Sequence, residues 1–251
     1  MNTIAAVIPM HATSLHGKPL AACSTCSLAK LCLPMGLVGD DLGRMDCLVT
    51  RSAPVHEGDH LFRVGDQFKA VYAVRAGSYK SYTVDSEGRE HVLGFHLPGE
   101  LLGLDAIYPG RHVCNAVALD TATVCVLPYG QLTELAGELE GLRSQLFRLM
   151  SKDIADAAAL AGDFTAEERI AAFLVGLSRR FQQRGFSCKE FNLTMSRRDI
   201  ANYLRLAPET VSRVFARFEK DELVAVERRA VRLLDFPRLN ALARCMGEMH
   251  G

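Results

Sequence analysis

Tryptophan is absent from this 251-residue chain and aromatic residues make up only 7% of it, so the core must be built mainly from aliphatic side chains. Net charge is absent too. The 29 Lys and Arg balance 29 Asp and Glu, which excludes disorder driven by like-charge repulsion and a uniformly basic surface. No apolar run approaches the roughly 18 residues of a membrane span, so no bilayer crossing is expected. A lipoprotein leader is not expected either. Leu20-Ala21-Ala22-Cys23 has the letters of a cleavage box, but the first lysine is Lys18, and His11 to Pro19 is polar where an apolar stretch should run. A cytoplasmic location is expected. The eight histidines are not expected to be catalytic, and no enzyme is read from this sequence.

Cysteine, by contrast, is abundant and clustered. Of eight in the chain, three fall within ten residues as Cys23-x2-Cys26-x5-Cys32. Thiolates this close repel one another unless a cation absorbs their charge, so the spacing points to metal chemistry. Structural zinc usually takes two close pairs, and no second CxxC is present. An iron–sulfur cluster takes four thiolates, commonly three from one loop and one from far away, which fits better. Spacing leaves the remote donor open between Cys114 and Cys125.

From about Thr50 to Pro128, short alternating runs such as Lys69–Arg75, Ser78–Val84, Ala116–Ala118 and Thr123–Leu127 are punctuated by glycine, with Asp85-Ser-Glu-Gly88 as a hairpin turn. They predict a small β-roll of the jelly-roll, double-stranded β-helix type. After Pro128 the period turns helical. Leu132, Leu135, Leu139, Leu142, Leu146 and Leu149 recur at threes and fours, predicting a short helix followed by a longer one to about Ala161. Part of that stripe must dock on the β-roll, while Phe147, Met150, Ile154 and Ala157 are candidates to face a second copy in a homodimer. A hinge near Gly162 follows.

The C-terminal part is where the hidden charge asymmetry lies: residues 161–251 carry 16 basic against 12 acidic side chains. Ser196 followed by Asp199 opens a short helix, and Pro208 suits the first turn of a second, predicting a helix-turn-helix. At 100° per residue, Val211, Val214, Phe215 and Phe218 of the second helix share an arc of about 100° that faces a core. Glu209, Ser212, Arg213 and Ala216 share the opposite arc. Read alone, Glu209 and Arg213 could be an ordinary i,i+4 ion pair. In a helix-turn-helix they are candidates to read base edges in double-stranded DNA, with Arg197 and Arg217 at phosphate-facing flanks. Leu223–Val226 and Ala230–Leu234 predict a hairpin wing. The fold class is α+β, with an N-terminal arm over 1–49, a β-roll sensor over 50–128, helices over 129–162 and a winged helix-turn-helix over 163–251.

Taken together, the cysteine cluster, the β-roll, the long helix and the run Glu209-Thr-Val-Ser-Arg213 resemble the FNR branch of the CRP/FNR transcription regulators. The resemblance extends through Gly94–Glu100, Ala166–Arg169, Leu177–Phe181, Arg184–Ser187 and Leu193–Met195. It implies a 4Fe-4S cluster on Cys23, Cys26, Cys32 and Cys125, with Ser27 and Leu31 beside it tuning access of oxygen. It also implies a homodimer that binds palindromic TTGAT-type promoter sites at low oxygen through Glu209, Ser212 and Arg213, releases them when oxygen degrades the cluster, and contacts RNA polymerase. Gating by another metal, haem or thiol oxidation is the alternative. A cyclic nucleotide is disfavoured, because Val113-Cys114 stands where such ligands need an arginine and a hydroxyl, although Arg111 is nearby. Two departures stand out. Ala157 occupies what resembles an acidic position that keeps the cofactor-free form monomeric, in a region about three residues shorter than in such proteins, so gating is expected to be looser. Arg205 stands where the inter-helix turn commonly has glycine, and a right-handed turn is expected there instead.

Overall fold

A computed structural model describes residues 23–247 of the chain, so the Leu20–Ala22 stretch weighed above as a leader lies outside the described residues. Eight strands form the N-terminal β-domain: β1 (Thr50–Arg51), β2 (His60–Phe62), β3 (Ala70–Ala76), β4 (Tyr79–Val84), β5 (Glu90–His96), β6 (Leu101–Leu102), β7 (Asn115–Ala118) and β8 (Thr123–Pro128). They pair antiparallel into two four-stranded sheets, ordered β1-β8-β3-β6 and β2-β7-β4-β5, which is the expected β-roll. Glycine closes the predicted hairpin. Gly88 takes a φ of 78°, and the Asp85 carboxylate accepts the N–H groups of Glu87 and Arg89 at 2.9 and 3.0 Å.

Side-chain alternation sorts the strands into an inside and an outside. Val124 of β8 packs inward with Phe62, Val74, Tyr79 and Cys114. Its neighbours Cys125 and Leu127 face outward, against the N-terminal arm and the helices that follow the sheet. There α1 (Asp40–Leu48), α2 (Tyr129–Glu138) and α3 (Glu140–Leu160) cover the outer face. Leu132, Leu135, Leu142 and Leu146 interlock with Leu33, Met45, Val71 and Leu127, so the first half of the leucine stripe docks on the β-roll. The helix α1 was not anticipated, because Gly43 interrupts it and Gly39 caps it without a side-chain hydrogen bond.

The hinge after α3 is tied down from the next helix, α4 (Ala166–Gln183). Arg169 donates to the carbonyls of Leu160, Gly162 and Phe164 at 3.2, 2.7 and 3.1 Å, satisfying acceptors that a helix end leaves open. Thr165 and Glu168 form a reciprocal capping box at the start of α4. The C-terminal domain continues with β9 (Glu190–Asn192), α5 (Arg197–Tyr203), α6 (Pro208–Lys220), β10 (Val224–Glu227), β11 (Ala230–Leu233) and α7 (Phe236–Gly247). The predicted hairpin wing is β10–β11, extended by β9 into a three-stranded sheet. Arg205, between α5 and α6, has a φ of 56°, so the turn is left-handed and the right-handed expectation is corrected. The Leu206 N–H bonds the Ala201 carbonyl at 2.9 Å, a helix-ending bond that requires this conformation and outweighs its steric cost of about 1 kcal/mol.

The two domains share one apolar core. Val92, Phe95, Leu97 and Leu119 of the β-roll pack with Ile170, Phe173, Leu177 and Ile200. No helix among the described residues is long and apolar enough to cross a membrane.

Candidate cofactor site and nucleic-acid interface

Cys23, Cys26, Cys32 and Cys125, the set the family resemblance implies, lie together on the outer face of the β-roll. Cys23 opens a short 3-10 turn, and tight backbone bonds from Cys26 N–H to the Cys23 carbonyl and from Cys32 N–H to the Leu28 carbonyl coil the loop, at 3.1 and 3.0 Å. Cys23, Cys32 and Cys125 all border the core that holds Leu142 and Leu146 of α3. Burial, then the Asp46 carboxylate and the facing Cys125 push the Cys23 thiol up to about 12. Burial likewise pushes Cys32 up to about 12, against the help of the Leu33 N–H, with Cys125, Cys23 and Cys26 adding to the rise. Burial also raises Cys125, while the guanidinium groups of Arg75 and Arg51 pull it back. Thiols that raise one another's pKa in this way share one space, and they become thiolates together only when a cation enters it.

Other groups already address the sulfurs. The Leu28 N–H points at Cys26 Sγ at 3.4 Å, and Arg75 donates to the same sulfur. Gln145 of α3 donates from Nε2 to the Cys32 carbonyl at 3.3 Å. Among the described residues, no three His, Cys, Asp or Glu side chains converge as a single metal ion requires. Cys114, the rival donor, lies inside the β-roll, where its thiol donates to Asp105 at 3.4 Å. The loop rests on a turn of the sensor. Gly99, at a φ of 92°, faces Leu28 and Leu31, and a Cβ there would stand 3.3 Å from the Leu31 Cβ. Leu31 thus packs against this turn.

At the other end, the helix-turn-helix exposes the predicted reading face. Val211, Val214, Phe215 and Phe218 are buried, and Glu209, Ser212, Arg213 and Ala216 are exposed. Ser196 and Asp199 cap α5 reciprocally. Among the described residues neither Glu209 nor Arg213 is in an ion pair, so the bland i,i+4 pairing is not formed; Ser212 donates to the Pro208 carbonyl at 3.0 Å. The flanks differ. Arg197 stacks its guanidinium over the Phe215 ring at 3.6 Å, leaving one buried terminal nitrogen without a partner. Arg217 pairs with Glu167 and, at 3.8 Å, with Asp221.

On α3 the candidate dimer residues form an uncovered stripe. Phe147 and Ile154 are 62% and 69% exposed, Ala157 is exposed and Met150 half-buried, on the flank of α3 next to Leu142 and Leu146, where Met150 still borders their core. The β-roll interior is filled by side chains: His112 stacks on Phe62 at 3.7 Å, Tyr72 lies beside them, and Arg111 is exposed on the surface. One pentapeptide was overlooked in the sequence. His56-Glu57-Gly58-Asp59-His60 spells HExxH, which holds zinc when it lies on a helix. Here it is a turn with Gly58 at a φ of 89°, running into β2, and His60 bonds the Tyr82 hydroxyl at 2.9 Å.

The Crp-like helix-turn-helix domain family matches residues 168–242, and the cyclic nucleotide-binding domain family matches residues 53–138. The chain is 50% identical over 226 residues to the transcriptional activator protein Anr of Pseudomonas protegens, covering 89% of this chain and 93% of that one. It is 45% identical over 224 residues to the fumarate and nitrate reduction regulatory protein of Escherichia coli, covering 88% and 90%. The solved structure of FixK2 from Bradyrhizobium japonicum is similar at a TM-score of 0.70 and 29% identity, covering 77% of this chain and 96% of that one.

Proposed function

Because this chain belongs to the FNR-type CRP/FNR transcription regulators, DNA-binding proteins rather than enzymes, we propose that it is an oxygen-responsive regulator carrying a 4Fe-4S cluster on Cys23, Cys26, Cys32 and Cys125. The donor set suits the group. Cys23, Cys32 and Cys125, whose thiols are each pushed up, lie with Cys26 beside Arg75 and a backbone N–H that would steady sulfur charge, and a multi-iron cluster spreads its thiolates wider than one metal ion does. When bound, such a cluster supplies the cation that ionises the thiols and an oxygen-labile redox centre.

One observation carries the reading: the cysteine loop and the buried face of α3 share a core, joined by the Gln145 to Cys32 hydrogen bond. Clamping the loop to β8 through Cys125 therefore braces α3 from its buried side. The flank of α3 beside that core, with Phe147, Met150, Ile154 and Ala157, pairs with a second copy. Dimerisation is the bistable element, since a dimer reaches two half-sites about one helical turn apart and a monomer only one. Glu209, Ser212 and Arg213 read a TTGAT-type half-site, and the bound dimer engages RNA polymerase. Ala157 carries no charge to repel its counterpart, so part of the dimer persists after the cofactor is lost; Ala157→Asp should remove that residue of dimer in air.

The test is anaerobic purification with iron and sulfide analysis, then DNA binding on a TTGAT palindrome before and after air. Near four irons per chain and a loss of affinity on aeration are expected. Iron-free protein, or equal affinity in both states, would defeat the reading and leave gating by another metal, haem or thiol oxidation.

A further inference from the structure

The DNA-binding domain is held on the sensor by polar contacts that the mechanism above does not use. Lys80 of β4, its side chain 10% exposed, donates to Asp199 at 2.7 Å and to Glu90 at 3.0 Å. Asp199 is at the same time the capping-box carboxylate of α5. One turn further along α5, Asn202 accepts the Val92 N–H at 2.7 Å and donates to the Glu90 carbonyl at 2.5 Å, adding itself to the open edge of β5. Ser78 and Thr194 join hydroxyls at 2.8 Å across the same seam. Behind these, Phe95 packs on Tyr203 with ring centroids 5.2 Å apart. The reading face of α6 points away from all of them and stays exposed.

This arrangement fixes direction as well as attachment. The helix α5 packs on α6, so a lysine on the sensor sheet holds the first helix of the reader by its cap, and the angle of α6 to the β-roll and α3 follows. We propose that Lys80, acting through Asp199 and supported by Asn202, is a positioning residue that sets the half-site spacing the regulator accepts. The inference rests on the reading that two copies pair through α3: in a symmetric dimer, the two α6 helices are then separated by a distance that this seam makes rigid. A buried ammonium between two carboxylates suits the task, because its loss leaves Asp199 half-buried without its partner instead of merely removing a surface pair.

The experiment measures affinity of anaerobically prepared full-length protein for palindromes with the natural spacer, with one base pair added and with one removed, and for a single half-site. One base pair rotates the half-sites by about 34° and shifts them by about 3.4 Å. Wild-type protein should lose about tenfold or more for either change. Lys80→Met, and independently Asn202→Ala, should bind the natural palindrome more weakly while losing less than about threefold on the altered spacers, with half-site affinity unchanged and Lys80→Arg partly restoring the profile. A loss of stability alone would lower every affinity in parallel. Folded variants, checked by thermal melting, whose spacer profile parallels the wild type would overturn the proposal. A wild-type protein that binds palindrome and half-site equally would overturn the dimer reading, and the proposal with it.

Discussion

Replacing Glu100 by Gln should cost about 3 kcal/mol of stability at neutral pH, and that cost should vanish in acid. The carboxylate of Glu100 accepts from Arg180 at 2.5 and 2.9 Å and from Arg184 at 2.6 Å. The Arg184 side chain is 2% exposed and those of Arg180 and Glu100 are each 24% exposed, so solvent does little to screen the attraction. Burial pushes the Glu100 carboxyl up, but Arg180 and then Arg184 outweigh it and bring its pKa down to about 2 from 4.5. At about 1.4 kcal/mol per decade of proton affinity, that drop corresponds to about 3 kcal/mol, in line with the cost of breaking a buried ion pair by removing one partner. The sign follows from the depressed value: the stabilisation is complete above the unfolded-state pKa and fades as pH falls through the folded one. Urea unfolding followed by circular dichroism should show the variant's midpoint lower by about 1 to 2 M near pH 7, at roughly 2 kcal/mol per M. The gap between variant and wild type should narrow from about pH 5 downward and close near pH 2. A neutral-pH difference below about 1 kcal/mol, or a gap independent of pH, would refute the reasoning.

Three further outcomes are expected. Ile154→Glu places a charge on each side of the proposed α3 interface and should shift the anaerobic protein to monomer in sedimentation, reducing palindrome binding by about a hundredfold while sparing half-site binding. Arg213→Ala should cost about 1–3 kcal/mol on the preferred half-site and flatten discrimination among single-base variants of it, measured by competition; unchanged discrimination would remove Arg213 from base reading. Arg205→Gly relieves a left-handed backbone and should raise the melting temperature by about 2–4 °C, an increase of roughly 1 kcal/mol; a lower melting point would mean that the arginine side chain supplies more than its backbone costs.

Much of the architecture was legible because its signals are periodic. The leucines from Leu132 to Leu146 repeat at helical spacing and are buried as that spacing requires, and the opposed arcs of α6 divide into core and exposed faces residue by residue. Cys125 and Cys114 could not be separated by spacing, because one lies in a strand and the other just before one; burial of Cys114 inside the β-roll and the register of β8, which turns Val124 inward and Cys125 outward, distinguish them. The contacts across the domain seam were illegible for a similar reason. Lys80, Glu100 and Asn202 carry no local pattern, and their partners across the seam, Asp199, Arg180 and Val92, lie 119, 80 and 110 positions away. Arg205 was misjudged from residue preference alone, since the bond from the Leu206 N–H to Ala201 decides its conformation. The HExxH letters show the converse error, a motif whose spacing means something only on a helix.

Leu97 to Glu100 is a single tight corner with obligations on both sides. Gly99 abuts Leu28 and Leu31 of the cysteine loop, while one residue later Glu100 grips α4, and the Pro98 carbonyl takes the Arg184 Nε at 2.6 Å. Such a corner cannot be retuned for one neighbour only. A methyl group at Gly99 would force both a disfavoured backbone angle and a shift of Leu31, and any yielding of the corner would tilt the carboxylate beneath the reader domain. The cysteine loop and the DNA-binding domain thus meet at one small keystone apart from α3, and changes made there to alter the loop should carry a hidden cost in how that domain is held.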